Sequence, residues 1–240
     1  MRDCAFVSNR VAGLGGGIAV DLDVNLTLSG CTFEGNSAGS GGGIAISAAT
    51  ATVIDCEIAD NTATFGGGVC LLSAIEVEIA NTEMSSNTAG LQGGAVYSAD
   101  SSYGVTDCTI SGNASAGSGG AFWLLGSDGI VTGTPIVDNS AGGLAGGLFV
   151  DASPTTVSSC EIMGNGLAVH VVAPARALVD ARMNWWGSST GPYHPELNPT
   201  GLGDEVSDFV QFAPWNVAAD LPGYPEVFPT TWGAIKAIHR

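Results

Sequence analysis

Between Arg10 and Arg176 the chain contains no lysine or arginine, while fifteen aspartates and glutamates fall in that span. Over all 240 residues, six basic side chains face 23 acidic ones, for a net charge of −17. A nucleic-acid surface must neutralise phosphates with basic groups, so this composition excludes DNA and RNA as partners. Anionic membranes and anionic polymers are disfavoured for the same reason. Long apolar runs are also missing, and no stretch supplies the roughly 20 residues that a helix needs to cross a bilayer. The opening Met1-Arg2-Asp3-Cys4 does not begin a signal peptide, because Asp3, Asn9 and Arg10 interrupt any apolar core. No Cys-x-x-Cys pair occurs and no histidine lies near a cysteine, which argues against zinc. No segment sustains a helical period, and the 36 glycines are too dense for paired helices. The leucine framework of leucine-rich repeats is absent as well.

What the chain does have is a repeat. Seven copies open at Cys4, Cys31, Cys56, Thr82, Cys108, Thr134 and Cys160, spaced 25–27 residues apart. Five places on stands an asparagine in every copy: Asn9, Asn36, Asn61, Asn87, Asn113, Asn139 and Asn165. Glycine clusters follow at 15–17, 41–43, 66–68, 93–94, 119–120 and 146–147. A fixed period of this size means stacked supersecondary units, none of which buries its apolar face alone. Within a copy the apolar stretches are of strand length with turn residues at their ends, as in Cys31-Thr32-Phe33, Ile44-Ala45-Ile46 and Val53-Ile54. Three short strands and three bends per copy describe one coil of a parallel β-helix. The sequence therefore reads as an all-β solenoid of about seven coils over residues 1–183, with a C-terminal capping segment at 184–216 and a tail at 217–240. The chain opens partway through a coil, which reads as a piece of a longer secreted protein.

Coils stack about 4.8 Å apart, so residues at one offset form ladders along the axis. The opener and the residue two places on (Phe6, Phe33, Ile58, Met84, Ile110, Ile136, Ile162) are expected inside. The residue between them (Ala5, Thr32, Glu57, Glu83, Thr109, Pro135, Glu161) is expected in solvent. The asparagines are expected at a bend, hydrogen-bonded to one another through their amides, and the glycines where the backbone turns with positive φ. Side chains stacked in one column point the same way, so the cysteines read as free, buried fillers and not as disulfides.

Phe6-Val-Ser-Asn9 and Phe33-Glu-Gly-Asn36, each followed by a segment such as Gly15-Gly-Gly-Ile18 or Gly41-Gly-Gly-Ile44, resemble the Phe-x-x-Asn and Gly-Gly-Ala-Ile repeats of the polymorphic outer-membrane proteins of chlamydiae and many environmental bacteria. More broadly, residues 4–180 resemble the right-handed parallel β-helix, or pectate-lyase-like, superfamily. Asn184-Trp-Trp-Gly through Pro214-Trp215 breaks the period and is similar to the C-terminal closure of secreted bacterial β-helix proteins, with Trp185, Trp186 and Trp215 expected to cover the core. The resemblance implies a bacterial protein that is secreted or displayed at the cell surface, often as an adhesive passenger. Its expected partners are a polysaccharide or a cell-surface protein of a host or neighbouring cell. The barrel that would follow such a passenger is not in this sequence.

Catalytic sets are sparse. Enzymes of the pectate-lyase-like type need a basic residue as base and uronate clamp; the repeats between Arg10 and Arg176 offer none, so such a lyase would need Arg176 or Arg182 at their C-terminal edge. Glu57 and Glu83 share an outward column on adjacent coils, the one carboxylate pair whose spacing a glycoside hydrolase could use, although two solvated glutamates on a convex face are the simpler explanation. Asp60 and Asp138 share a column three coils apart, too far to cooperate. Gly187-Ser-Ser-Thr-Gly191, with Ser189 and nearby His194, matches a nucleophile elbow in pattern but sits in a proline-flanked loop. Asp21, Asp23 and Asn25 begin like a calcium loop, but Leu26 and Thr32 replace its glycine and glutamate. Loose Ca²⁺ binding there is the one cofactor reading. The strand after the glycines carries two apolar columns, of which alternation allows only one inside. If Tyr97 and Trp123 face out, they offer surfaces for sugar rings; if Phe122 and Phe149 do, they offer a protein contact.

Overall fold

The computed structural model describes residues 1–172 and 178–218. Its chain winds as a solenoid in which every strand pairs in parallel with the strand at the same place in the next coil. The second to sixth coils each contribute to four sheets, not the three expected, as the second coil illustrates. Thr32–Glu34 lies in sheet I, Ser37–Ser40 in sheet II, Ile44–Ser47 in sheet III and Thr50–Ile54 in sheet IV. Sheet II is the strand missed from sequence. Its small Ser, Thr, Ala and Gly residues carry no apolar signature, because only one side chain per strand reaches the core.

Four corners separate the four sheets, and each turns on one residue in the left-handed region. Gly41, Gly66, Gly93 and Gly119 (φ 63 to 71°) make the corner between sheets II and III. Asp, Ser or Gly immediately before each ladder asparagine makes the corner between sheets I and II, as at Ser8, Gly35, Asp60, Ser86, Gly112, Asp138 and Gly164. The bend expected at the asparagine thus turns on its predecessor. The glycine after each corner glycine has a separate role. A Cβ on Gly42 or Gly67 would collide with the backbone carbonyl of Gly67 or Gly94 on the next coil.

The core is a set of inward columns. Phe33, Ile58, Met84, Ile110, Ile136 and Ile162 from sheet I are each fully buried, as expected. Leu28, Val53, Ile79, Val105, Val131 and Val157 from sheet IV face them. Each such side chain contributes about 1.5–3 kcal/mol by leaving water. Phe6 stacks on Phe33 with ring centroids 4.8 Å apart, the rise of one coil.

Three polar ladders run beside the apolar columns. In the first, each asparagine Oδ1 accepts from both the backbone N–H and the Nδ2 of the asparagine one coil earlier, at 2.9–3.1 Å from Asn9 to Asn165. Each Nδ2 from Asn36 onward also donates to a carbonyl of the preceding coil. In the second, the opener side chain accepts from the backbone N–H of the opener before it: Cys31 N–H to Cys56 Sγ, Cys56 to Thr82 Oγ1, Cys108 to Thr134 Oγ1, and Cys160 to Asn184 Oδ1. Cys and Thr both serve at this position because both are small and both can accept. A third ladder links Ala74, Ser101, Ser127 and Ser153 at the corner between sheets III and IV.

The segment after Asn184 continues the winding instead of merely closing it. Gly203–Val206 adds to sheet III and Val210–Gln211 to sheet IV, so sheet pairing continues past the boundary expected at 183. Trp186 is fully buried and Trp215 is 8% exposed, both within the core, whereas Trp185 is only half-buried and pairs with Glu161 at the edge of sheet I. Residues 219–240 lie outside the described residues.

Candidate functional site

Backbone register settles which column of sheet III faces outward. Val69, Val96, Phe122 and Leu148 pair in sequence and are buried in the core, so Phe122 is a core residue and not a surface contact. The outward column is Ala45, Cys70, Tyr97, Trp123, Phe149 and His170. Fixed offsets from the openers misplace Phe122 because the second and third coils have five places from asparagine to corner glycine, whereas the first, fourth and fifth have six. Asn61 precedes Gly66 by five places, but Asn87 precedes Gly93 by six. The extra residue appears as a register shift between Ala89 and Gln92, with Leu91 exposed there. His170 completes the row.

The row is a continuous stack. Tyr97 and Trp123 lie 4.8 Å apart and nearly coplanar at 5°, Trp123 and Phe149 6.1 Å apart at 2°, and Phe149 and His170 5.5 Å apart at 24°. The ring faces are turned to one another, so the ring edges are what the groove presents. Phe65, from the end of sheet II, meets Tyr97 across the corner at 5.2 Å. Outward side chains of adjacent sheets touch only where the corner is re-entrant. Ala45, Cys70 and Trp123 are accordingly buried although they point away from the core. Burial also pushes the Cys70 thiol up to about 12, so it stays protonated. The Trp123 indole N–H is buried without a hydrogen-bond partner.

Charge is segregated around the solenoid. The five strands of sheet II bear no charged side chain, and sheet III through Val171 bears only Asp21 and Asp151 at strand ends. Sheets I and IV and their shared corner carry Glu34, Glu57, Glu83, Glu76, Glu78, Asp55, Asp107 and Asp128.

Glu57 and Glu83 are exposed and pair residue for residue on sheet I. With Asp55 and Asn81 they line a shallow, open depression of about 490 Å³. Asp21 ends one strand, Asp23 sits at a left-handed corner and Asn25 begins the next strand, all exposed. Among the described residues no three His, Cys, Asp or Glu side chains are grouped to hold a metal ion. Asp60 and Asp138 occupy the same corner column with Ser86 and Gly112 between them.

Ser189 and His194 are not brought together. His194 is 1% exposed, and its Nδ1 accepts from the backbone N–H groups of Glu196 and Leu197 at 3.2 and 3.1 Å. Its proton therefore sits on Nε2, which lies 3.3 Å from Asp208 Oδ1. Ser189 uses its carbonyl to accept from the Trp215 indole. This is loop scaffolding, not a nucleophile with its base. Arg182 is bound at both ends by Asp180, with Nε to Oδ1 2.8 Å and Nη2 to Oδ2 2.6 Å, which holds the Asp180 carboxyl below its usual range. Arg176 lies outside the described residues. All six cysteines are free, and burial raises Cys108 to about 11 and Cys160 to about 12, so these thiols are fillers.

A family model described as a right-handed β-helix region matches residues 1–173. No curated protein and no solved structure matches the chain. Coils wound in register, with that match over more than half the sequence, place the chain in the right-handed β-helix family.

Proposed function

We propose that this protein is a non-catalytic scaffold of the bacterial cell surface or exterior, and that it makes adhesive contacts through the uncharged side formed by sheets II and III. The observation that carries this reading is the segregation of charge. A chain of net charge −17 leaves sheet II without charge and sheet III through Val171 with only two strand-end aspartates, and lines their shared corner with an aromatic row. The row's partly exposed ring edges, rimmed by polar residues, form an apolar strip of the kind that marks a contact surface. The resemblance to polymorphic outer-membrane repeats supports display. The test is adhesion of cells to immobilised protein, comparing a Thr64→Asp/Thr88→Asp variant on sheet II with a Thr32→Asp/Thr109→Asp control on sheet I. Loss of adhesion in the first alone is expected; equal adhesion by both variants contradicts the reading.

The second reading is a polysaccharide hydrolase at Glu57 and Glu83, favoured by their register and by the depression that they line. It predicts reducing-end release from a polysaccharide panel that Glu57→Gln and Glu83→Gln each abolish.

A further inference from the structure

We infer that the re-entrant corner between sheets II and III is a site for one neutral polysaccharide chain, lying along the solenoid axis and excluding uronate polymers. This rests on the adhesive reading above and names its partner.

Four observations carry it. First, the corner is concave, shown by the contact of Phe65 with Tyr97 and by the burial of outward-pointing Cys70 and Trp123. A concave trough takes a thin, extended occupant, and two copies of the same trough cannot fill one another. Second, the trough is amphipathic in the way that sugar rings are. One wall is the aromatic edge strip from Tyr97 to His170, and the other carries Gln92 and Ser118, which bridge to each other along sheet II. Because the rings are stacked edge-outward, sugars meet C–H edges and the polar atoms at those edges instead of π faces. Third, donors and acceptors are left over. Tyr97 Oη and the Gln92 amide make no hydrogen bond among the described residues, and the Trp123 N–H is buried without a partner. Ser118 Oγ accepts from Leu144 N–H and keeps its own proton to donate. A buried donor without a partner is costly and gains from any acceptor brought to it. Fourth, no lysine or arginine stands on either wall from Tyr97 to His170, and the acidic faces flanking the trough repel carboxylates. Pyranose units repeat along a chain at close to the rise of one coil, so successive sugars meet successive rungs.

The experiment is isothermal titration of the intact protein with cello-, manno-, xylo- and laminari-hexaose, and with hexagalacturonate at low and physiological salt. At least one neutral hexaose is expected to bind, weakened about tenfold or more by Tyr97→Ala and by Gln92→Ala, as for truncated contact residues at an interface. Hexagalacturonate is expected not to bind to the wild type and to bind to Gln92→Lys. Circular dichroism of each variant separates lost binding from lost folding. Binding of none of the neutral hexaoses, or binding indifferent to Tyr97 and Gln92, overturns the inference. If cell adhesion still depends on Thr64 and Thr88 in that case, the adhesive reading survives with a protein as partner.

Discussion

Tyr103 and Gly129 act as one structural unit, although a whole coil separates them in sequence. They pair on sheet IV, and the Tyr103 ring lies in the space that a Gly129 side chain would fill, with a Cβ there driven into the ring carbons. Gly129→Ala is therefore expected to lose about 1–3 kcal/mol, the range for overpacking a filled core. A Tyr103→Val/Gly129→Ala double variant is expected to be less destabilised than the sum of the singles, and urea unfolding of the four proteins reads the coupling. Asp204 is a second case of one residue doing a distinct task. Its carboxylate accepts from Gly164 N–H, Asn165 N–H and Asn165 Nδ2 at 2.7–3.2 Å, ending the asparagine ladder with a group that only needs to accept. Burial, aided by the Asp138 charge, raises its pKa above the ordinary 3.8 despite these hydrogen bonds. The folded state thus holds this proton more tightly than the unfolded chain. Its contribution to stability is full below the unfolded pKa and falls as pH rises through the folded one. The melting temperature of wild type relative to Asp204→Asn is expected to decline across that window. A flat difference would show that burial of the charge carries no penalty.

The ladders and sheets show how much of this architecture the sequence reveals. Openers, asparagines and glycines recur at offsets that report stacking directly, and the expected inward residues of sheet I are all in the core apart from Phe6, half-buried in the first coil. Sheet II was illegible because its outward residues are small and its inward contribution is slight. The outward row was half legible: Tyr97, Trp123 and Phe149 were candidates, but the residue added near Leu91 sent Phe122 to the surface and hid His170. The bend is expected at the asparagine, since Asn tolerates turn conformations, yet the asparagine is held in the ladder and its neighbour turns. Asn87→Ala would strand the Asn61 backbone N–H and break the bonds to Ile58 O and Asn113 Oδ1. We expect a loss of roughly 2–4 kcal/mol in urea unfolding, since buried groups are left unpaired. Asn9→Ala, at the exposed first coil, is expected to cost under about 1 kcal/mol by the same measurement. Equal costs would mean that the ladder is decorative.

Charge organises the protein as a body. With acid concentrated on sheets I and IV and almost nothing basic among the described residues, like-charge repulsion opposes folding. Thermal stability is therefore expected to rise from low salt to about 0.15 M, where the Debye length falls to about 8 Å. Insensitivity to salt would show that the acidic faces are too well separated to interact. The same segregation leaves the corner between sheets II and III as the surface where a neutral partner can approach without meeting a carboxylate. The most direct test is a ¹H–¹⁵N spectrum of the intact protein titrated with the neutral hexaoses, following the Trp123 indole N–H and the amides of Tyr97, Gln92 and Ser118. Shifts confined to these groups are the predicted result. Shifts centred on Glu57 and Glu83, or none anywhere, would contradict it and return the acidic face to the centre of the problem.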